Sequence, residues 1–81
     1  MLDAENQVII YSKPGCCLCD KAKEQLRLLH EKRSFDCTEV NILEDPEAFA
    51  QFADEIPVIF VNGREACRHH LDESRFVKLL R

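Results

Sequence analysis

The apolar positions along the chain fall into short blocks separated by strong turn signals. Gln7 to Tyr11 (QVIIY) is a compact run rich in β-branched residues with polar flanks, which predicts a buried strand. Pro14-Gly15 ends it. From about Cys17 to Lys32 the period turns helical. Leu18, Ala22, Leu26 and Leu29 fall at i, i+4, i+8 and i+11 and make one apolar stripe, with Lys21, Lys23, Glu24, Arg27 and Glu31 largely off it. Phe35 to Ile42 (FDCTEVNI) predicts a second strand of imperfect alternation. Asp45-Pro46-Glu47 is a helix start, with Asp as N-cap, Pro at the first helical position and an acid in the first turn. Phe49 and Phe52 then give a short helix an apolar face expected to pack into the core. Val58 to Val61 (VIFV) predicts a third strand, Asn62-Gly63 a hairpin turn, and Arg64 to about Arg68 the returning strand. Asp72 caps a last helix whose apolar side is Phe76, Val77, Leu79 and Leu80.

The predicted order is β-α-β-α-β-β-α. A strand–helix–strand start implies a parallel pair with a right-handed crossover, and the late hairpin adds an antiparallel pair. The expected fold class is α/β, a four-stranded mixed sheet with helices on both faces. With 81 residues there is room for one core, so residues 1–81 read as a single domain. Two glycines, 46% hydrophobic and 32% charged residues mark an ordinary globular composition.

A net charge of -4, from 15 acidic against 11 basic residues, argues against nucleic acid as partner, because phosphate binding needs a basic surface. The pair Lys32-Arg33 reads as a solvated helix end. The start MLDAENQVII has acids and no Lys or Arg before a very short apolar run, unlike a secretory signal. No stretch approaches the roughly 20 apolar residues of a membrane span. The expectation is a cytoplasmic monomer with no membrane association. Five cysteines, an odd count without a signal peptide, then point to redox chemistry or metal before a disulfide scaffold.

Cys16-Cys17-Leu18-Cys19 lies where the first strand turns into the first helix, and C-x-x-C there is a thiol-exchange signature. A disulfide wants Cα atoms about 4.4–6.8 Å apart. Residues three apart at a helix start lie roughly 5–6 Å apart on one face, which suits Cys16 with Cys19. Cys16 and Cys17 are neighbours at about 3.8 Å and would strain the ring. Cys17 and Cys19 point to opposite sides. Cys16, at the helix tip, is the expected attacker, and Cys19, one turn in, the resolving thiol. A helix N-terminus favours a thiolate, Lys13 adds to that effect, and Asp20 opposes it. Zinc asks for four ligands in a structural site, and Cys16, Cys17 and Cys19 are too close in sequence to supply them easily, so no metal is assigned. Ile56-Pro57-Val58, just before the third strand, is the second feature of interest, since a strand-initial proline restricts the backbone there.

Y-S-K-P-G-C-C-L-C-D followed by I-P-V-I-F-V-N-G resembles the glutaredoxins of the thioredoxin superfamily, and in particular small glutaredoxin-like proteins with a C-x-L-C centre. The likeness runs from Val8 to about Leu80. It implies a thioredoxin-like, glutaredoxin-type fold with a cis Pro57 facing the Cys16 sulfur. It implies that the Ile56 backbone pairs with a bound peptide or glutathione, and that Lys13 matches the lysine three residues before the first cysteine. The implied function is a dithiol oxidoreductase in cell redox homeostasis, with Cys16 and Cys19 catalytic and Lys13, Ile56 and Pro57 binding substrate. No resident cofactor is implied, and glutathione enters as a co-substrate. Partners would be a disulfide-containing protein or a glutathione mixed disulfide, and a cellular thiol-reducing system. An iron–sulfur cluster carrier joining two chains and a redox-inactive thioredoxin-fold adaptor are the alternatives. Cys17-Leu18 replaces the usual Pro-Tyr, and Cys67-Arg68-His69-His70-Leu71-Asp72 replaces a Gly-Gly and Asp stretch.

The remaining residues have plain readings. Cys17 is expected as a surface thiol, Cys37 and Cys67 as small apolar fillers of strands. His69-His70 reads as an exposed turn.

Overall fold

The computed structural model describes residues 6–80. The amino-terminal stretch on which the absence of a secretory signal was judged begins outside them. The element order is β1 (Gln7–Ser12), α1 (Cys17–His30), β2 (Asp36–Asn41), a 3-10 turn (Ile42–Glu44), α2 (Pro46–Phe52), β3 (Val58–Val61), β4 (Arg64–Arg68) and α3 (Glu73–Leu79). The strands form one sheet in the order β2-β1-β3-β4. β1 and β2 are parallel, while β3 runs antiparallel to β1 and β4 antiparallel to β3. This is the expected α/β arrangement, and it follows from local signals. Asp45 caps α2 by accepting the Ala48 N–H at 3.2 Å, with Pro46 in the first turn, and Asp72 caps α3 on the Arg75 N–H. Asn62 and Gly63 both have positive φ, 52° and 85°, as a two-residue type I′ hairpin turn requires.

Two apolar clusters cover the two faces of the sheet. Val8, Ile10, Ile59 and Val61 pack with Ala22, Leu26 and Leu29 of α1 and Phe76 of α3. On the other face Val58 packs with Ala48 and Phe52 of α2, Ile42 and Ile56, and this cluster reaches Cys19 and Cys16 at the head of α1. Tyr11, Phe52 and Phe60 form a ring cluster there, with centroids 4.8–5.9 Å apart.

Three expectations change. Leu18 is not part of the buried stripe of α1; it is 47% exposed, and Cys19 takes the inward place. Cys19, Ala22, Leu26 and Leu29 fit the helical period equally well, and a thiol packs as a small hydrophobe. Phe49 is 46% exposed, because α2 turns Ala48 and Phe52, an i, i+4 pair, toward the sheet. Cys37 is an exposed residue on the edge strand β2 rather than a core filler, whereas Cys67 is buried as expected. Smaller shifts are the end of α1 at His30 and the start of β2 just after Phe35.

Among the described residues no helix is long and apolar enough to cross a membrane.

Candidate functional site

The loop after β1 aims the first cysteine. Pro14 fixes one backbone angle and Gly15 takes φ 81°, the combination of a type II turn. Open space surrounds the position a Gly15 Cβ would occupy, so glycine is required there for its backbone angle alone. The turn delivers Cys16 to the N-cap of α1 in an extended conformation (φ -94°, ψ 110°). Its sulfur accepts the Cys19 backbone N–H at 3.3 Å, the place a serine or aspartate oxygen takes in an ordinary cap. Its carbonyl accepts the Asp20 N–H at 3.0 Å and opens the helical hydrogen-bond series. A sulfur anion held there sits at the positive end of the helix, against backbone donors with no intrahelical partner.

Cys16 is half-buried, Cys17 is exposed and Cys19 is fully buried. Burial pushes the Cys19 thiol up to about 12, with its contact to the Cys16 sulfur adding to the effect. A hydrogen bond from the Lys13 backbone and the nearby Lys23 ammonium pull the other way. One accessible sulfur therefore lies above a shielded, protonated one.

The Ile56–Pro57 peptide is cis, and both residues are buried. Ile56 belongs to the apolar cluster that holds Cys19 and borders Cys16, so the head of α1 and the entry to β3 share one patch. His69 locks this entry from the other side. It adopts φ 71°, its N–H donates to the Pro57 carbonyl at 2.8 Å, and its Nε2 lies 3.0 Å from Glu55 Oε1. Arg68 adds an ion pair to Glu55 at 3.6 Å and stands 5.8 Å from the centre of the Phe52 ring. The exposed turn expected at His69-His70 is present, and it braces the Pro57 loop.

The site residues named from the sequence thus divide. Cys16, Cys19 and Ile56 converge directly, and Pro57 follows through the same loop. Lys13 is exposed, and its backbone hydrogen-bonds toward the Cys19 thiol. Asp20 has its own cation, Lys23 Nζ at 3.8 Å. Sequence reasoning missed Ser12, Lys23 and Glu39, a hydrogen-bonded set beneath the first turn of α1. The available signal was the i, i+4 spacing of Cys19 and Lys23. Among the described residues no three His, Cys, Asp or Glu side chains are grouped as a metal site would need.

Residues 7–81 match the family described as Glutaredoxin-like domain (DUF836). Uncharacterized protein Rv0508 of Mycobacterium tuberculosis is 31% identical over 74 residues, spanning 85% of this chain and 76% of the relative. Protein Mb0520 of Mycobacterium bovis, also uncharacterized, matches equally. Protein Ne2328 from Nitrosomonas europaea, solved by solution NMR, superposes with a TM-score of 0.87 at 25% identity, covering 100% of this chain and 98% of its own. Protein SA0789 from Staphylococcus aureus, of unknown function, shares the fold at a TM-score of 0.63 and 20% identity, over 91% and 86% of the two chains. A C-x-x-C at a helix head beside a cis-proline loop, on this sheet and with this family match, places the chain in the glutaredoxin-like family.

Proposed function

We propose that the protein is a thiol–disulfide oxidoreductase in which Cys16 attacks a disulfide and Cys19 resolves the mixed disulfide. The observation that carries this reading is the pairing of a half-buried Cys16 sulfur, capping α1 on the Cys19 N–H at 3.3 Å, with a buried Cys19 thiol directly behind it. The Cys16 thiolate displaces one sulfur of a substrate disulfide as a thiolate and bonds to the other. Cys19 then loses its proton, attacks the Cys16 sulfur and releases the second substrate sulfur. The substrate gains two electrons and the chain is left with a Cys16–Cys19 disulfide, which an external thiol or dithiol reductant returns to two thiols.

Formation of the mixed disulfide itself favours the second step. Two influences that raise Cys19 come from Cys16, namely the sulfur hydrogen bond and the repulsion between two thiolates. Once the Cys16 sulfur is covalently capped it carries no charge. The Lys13 backbone donor and the Lys23 ammonium then oppose burial alone.

The substrate is a protein disulfide or a glutathione mixed disulfide. The exposed Leu18 at the head of α1 offers an apolar contact to either. The test is turnover of a protein disulfide and of a glutathione mixed disulfide under two reducing systems, glutathione with its reductase and a thioredoxin reductase. The expected result is catalytic reduction with at least one of them. A fully reduced, folded chain that leaves both substrates at the uncatalysed rate under both systems contradicts the proposal.

A further inference from the structure

Three polar side chains from three elements meet beneath α1. Ser12, wholly buried at the end of β1, donates its hydroxyl to Glu39 Oε2 of β2 at 2.8 Å. The same oxygen accepts Lys23 Nζ of α1 at 2.9 Å. Asp20 Oδ1 lies 3.8 Å from the ammonium. A buried hydroxyl bonded to the carboxylate fixes that carboxylate, and the carboxylate fixes the long lysine side chain. Lys23 follows Cys19 by four residues on the helix, so the two are neighbours one turn apart, with roughly 5–6 Å between Cβ atoms. The influence is mutual: the ammonium favours a Cys19 thiolate, and a Cys19 thiolate favours the ammonium.

We propose that Lys23, held by Glu39 and Ser12, is a positioning residue that sets how fast Cys19 resolves the mixed disulfide. The inference rests on the reading of Cys16 and Cys19 as an exchange pair. In the resolving step Cys19 gives its proton to solvent and its sulfur bonds to Cys16. The bond from Cys16 to the substrate sulfur breaks, and the departing thiolate takes up a proton. The step needs a negative charge at a buried sulfur, and Lys23 supplies the compensating positive one. Among the described residues, the apolar cluster that holds Cys19 contains two further titratable groups, Cys16 at the helix head and Tyr11 of β1; its α2 and β3 members Ala48, Phe52 and Val58 are apolar. Cys37, on the same face of β2 as Glu39, is uncharged while protonated; although the residue as a whole is exposed, partial desolvation of its sulfur and the Glu39 charge raise its pKa.

The sign of each substitution follows. Lys23→Met removes the charge that lowers the Cys19 pKa, so the fraction of thiolate falls at any given pH below it. Glu39→Gln removes the nearer negative charge that balances Lys23 and leaves an acceptor for Ser12, so the ammonium, still facing Asp20, acts more strongly on Cys19 and the thiolate fraction rises. Lys23 and Glu39 side chains are 36% and 48% exposed, which screens the effect. Lys23 is the weakest of the influences on Cys19, so the expected displacement stays within about one pH unit, or at most about tenfold in rate at neutral pH.

The experiment mixes the fully reduced full-length chain with a small aromatic disulfide, quenches with acid at set times and follows the Cys16 adduct by mass spectrometry of its peptides, from pH 6 to pH 9. The Cys19→Ser chain, whose adduct has no resolving thiol, gives the baseline. Adduct decay is expected to be about threefold to tenfold slower in Lys23→Met with its pH profile moved to higher pH, faster in Glu39→Gln with the profile moved to lower pH, and restored by Lys23→Arg. A bridge that only holds the fold together would make Lys23→Met and Glu39→Gln change the decay in the same direction. That result, or decay in Lys23→Met at the parent rate, overturns the proposal. Absence of any Cys16 adduct in the Cys19→Ser chain, where nothing can resolve it, overturns the exchange reading, and this proposal with it.

Discussion

Cys16→Ser is expected to reduce disulfide exchange to the uncatalysed rate, while Cys17→Ser keeps most of the activity. The reason is position. Cys16 is the sulfur at the N-cap, where the backbone donor of Cys19 reaches it at 3.3 Å and the helix end favours negative charge. A serine hydroxyl caps the helix equally well but is not ionised at neutral pH and forms no disulfide. The variant should therefore fold as the parent does and lose only chemistry, which a thermal melt recorded beside the turnover assay checks. Cys17 is exposed one residue further on, with no cap contact, and its loss removes nothing the exchange uses. Full turnover by Cys16→Ser would assign the nucleophile elsewhere.

The second large effect concerns the fold. Phe76→Ala is expected to cost about 3–5 kcal/mol, the range for removing a phenyl ring from a closed core. Phe76 has no exposed surface, meets the Phe35 ring edge-on at 5.4 Å, and is the main plug between α3 and the sheet. In a chain of this size that loss is a large share of the total stability, so α3 and with it the Asn62 contact to the Leu79 carbonyl should loosen together. Urea titration of the parent and the variant measures it. A midpoint shift corresponding to less than about 1 kcal/mol would mean that the cavity collapses, and that α3 packs less tightly than its burial implies.

How much of this was readable in the chain depends on the range of the interaction. Asp45-Pro46, Asn62-Gly63, Pro14-Gly15 and Asp72 each encode a cap or turn within a few residues, and each sits where its local chemistry puts it. The thiol pair was legible for the same reason, since its spacing and its place at a helix start are local. Leu18 misled because two sets of positions, one starting at Leu18 and one at Cys19, fit a helical stripe equally, and the sheet decides between them. Phe49 misled because a seven-residue helix is too short for periodicity to fix its inward face. The Ser12–Glu39–Lys23 set was out of reach. Ser12 and Glu39 are 27 residues apart, and only the parallel register of β1 and β2, which pairs Ser12 with Asn41 and Ile10 with Glu39, puts them on one face beneath α1. Lys13 also has a contact that spacing does not signal, a backbone hydrogen bond toward the Cys19 thiol.

The most direct measurement is the disulfide map of the oxidised chain. The protein is treated with a stoichiometric disulfide oxidant, free thiols are blocked, and the peptides are sequenced by mass spectrometry. The account predicts one intramolecular bond between Cys16 and Cys19, with Cys17, Cys37 and Cys67 recovered as blocked thiols. Recovery of Cys19 as a free thiol, with Cys16 bonded to Cys17, to Cys37 or to a second chain, would contradict it.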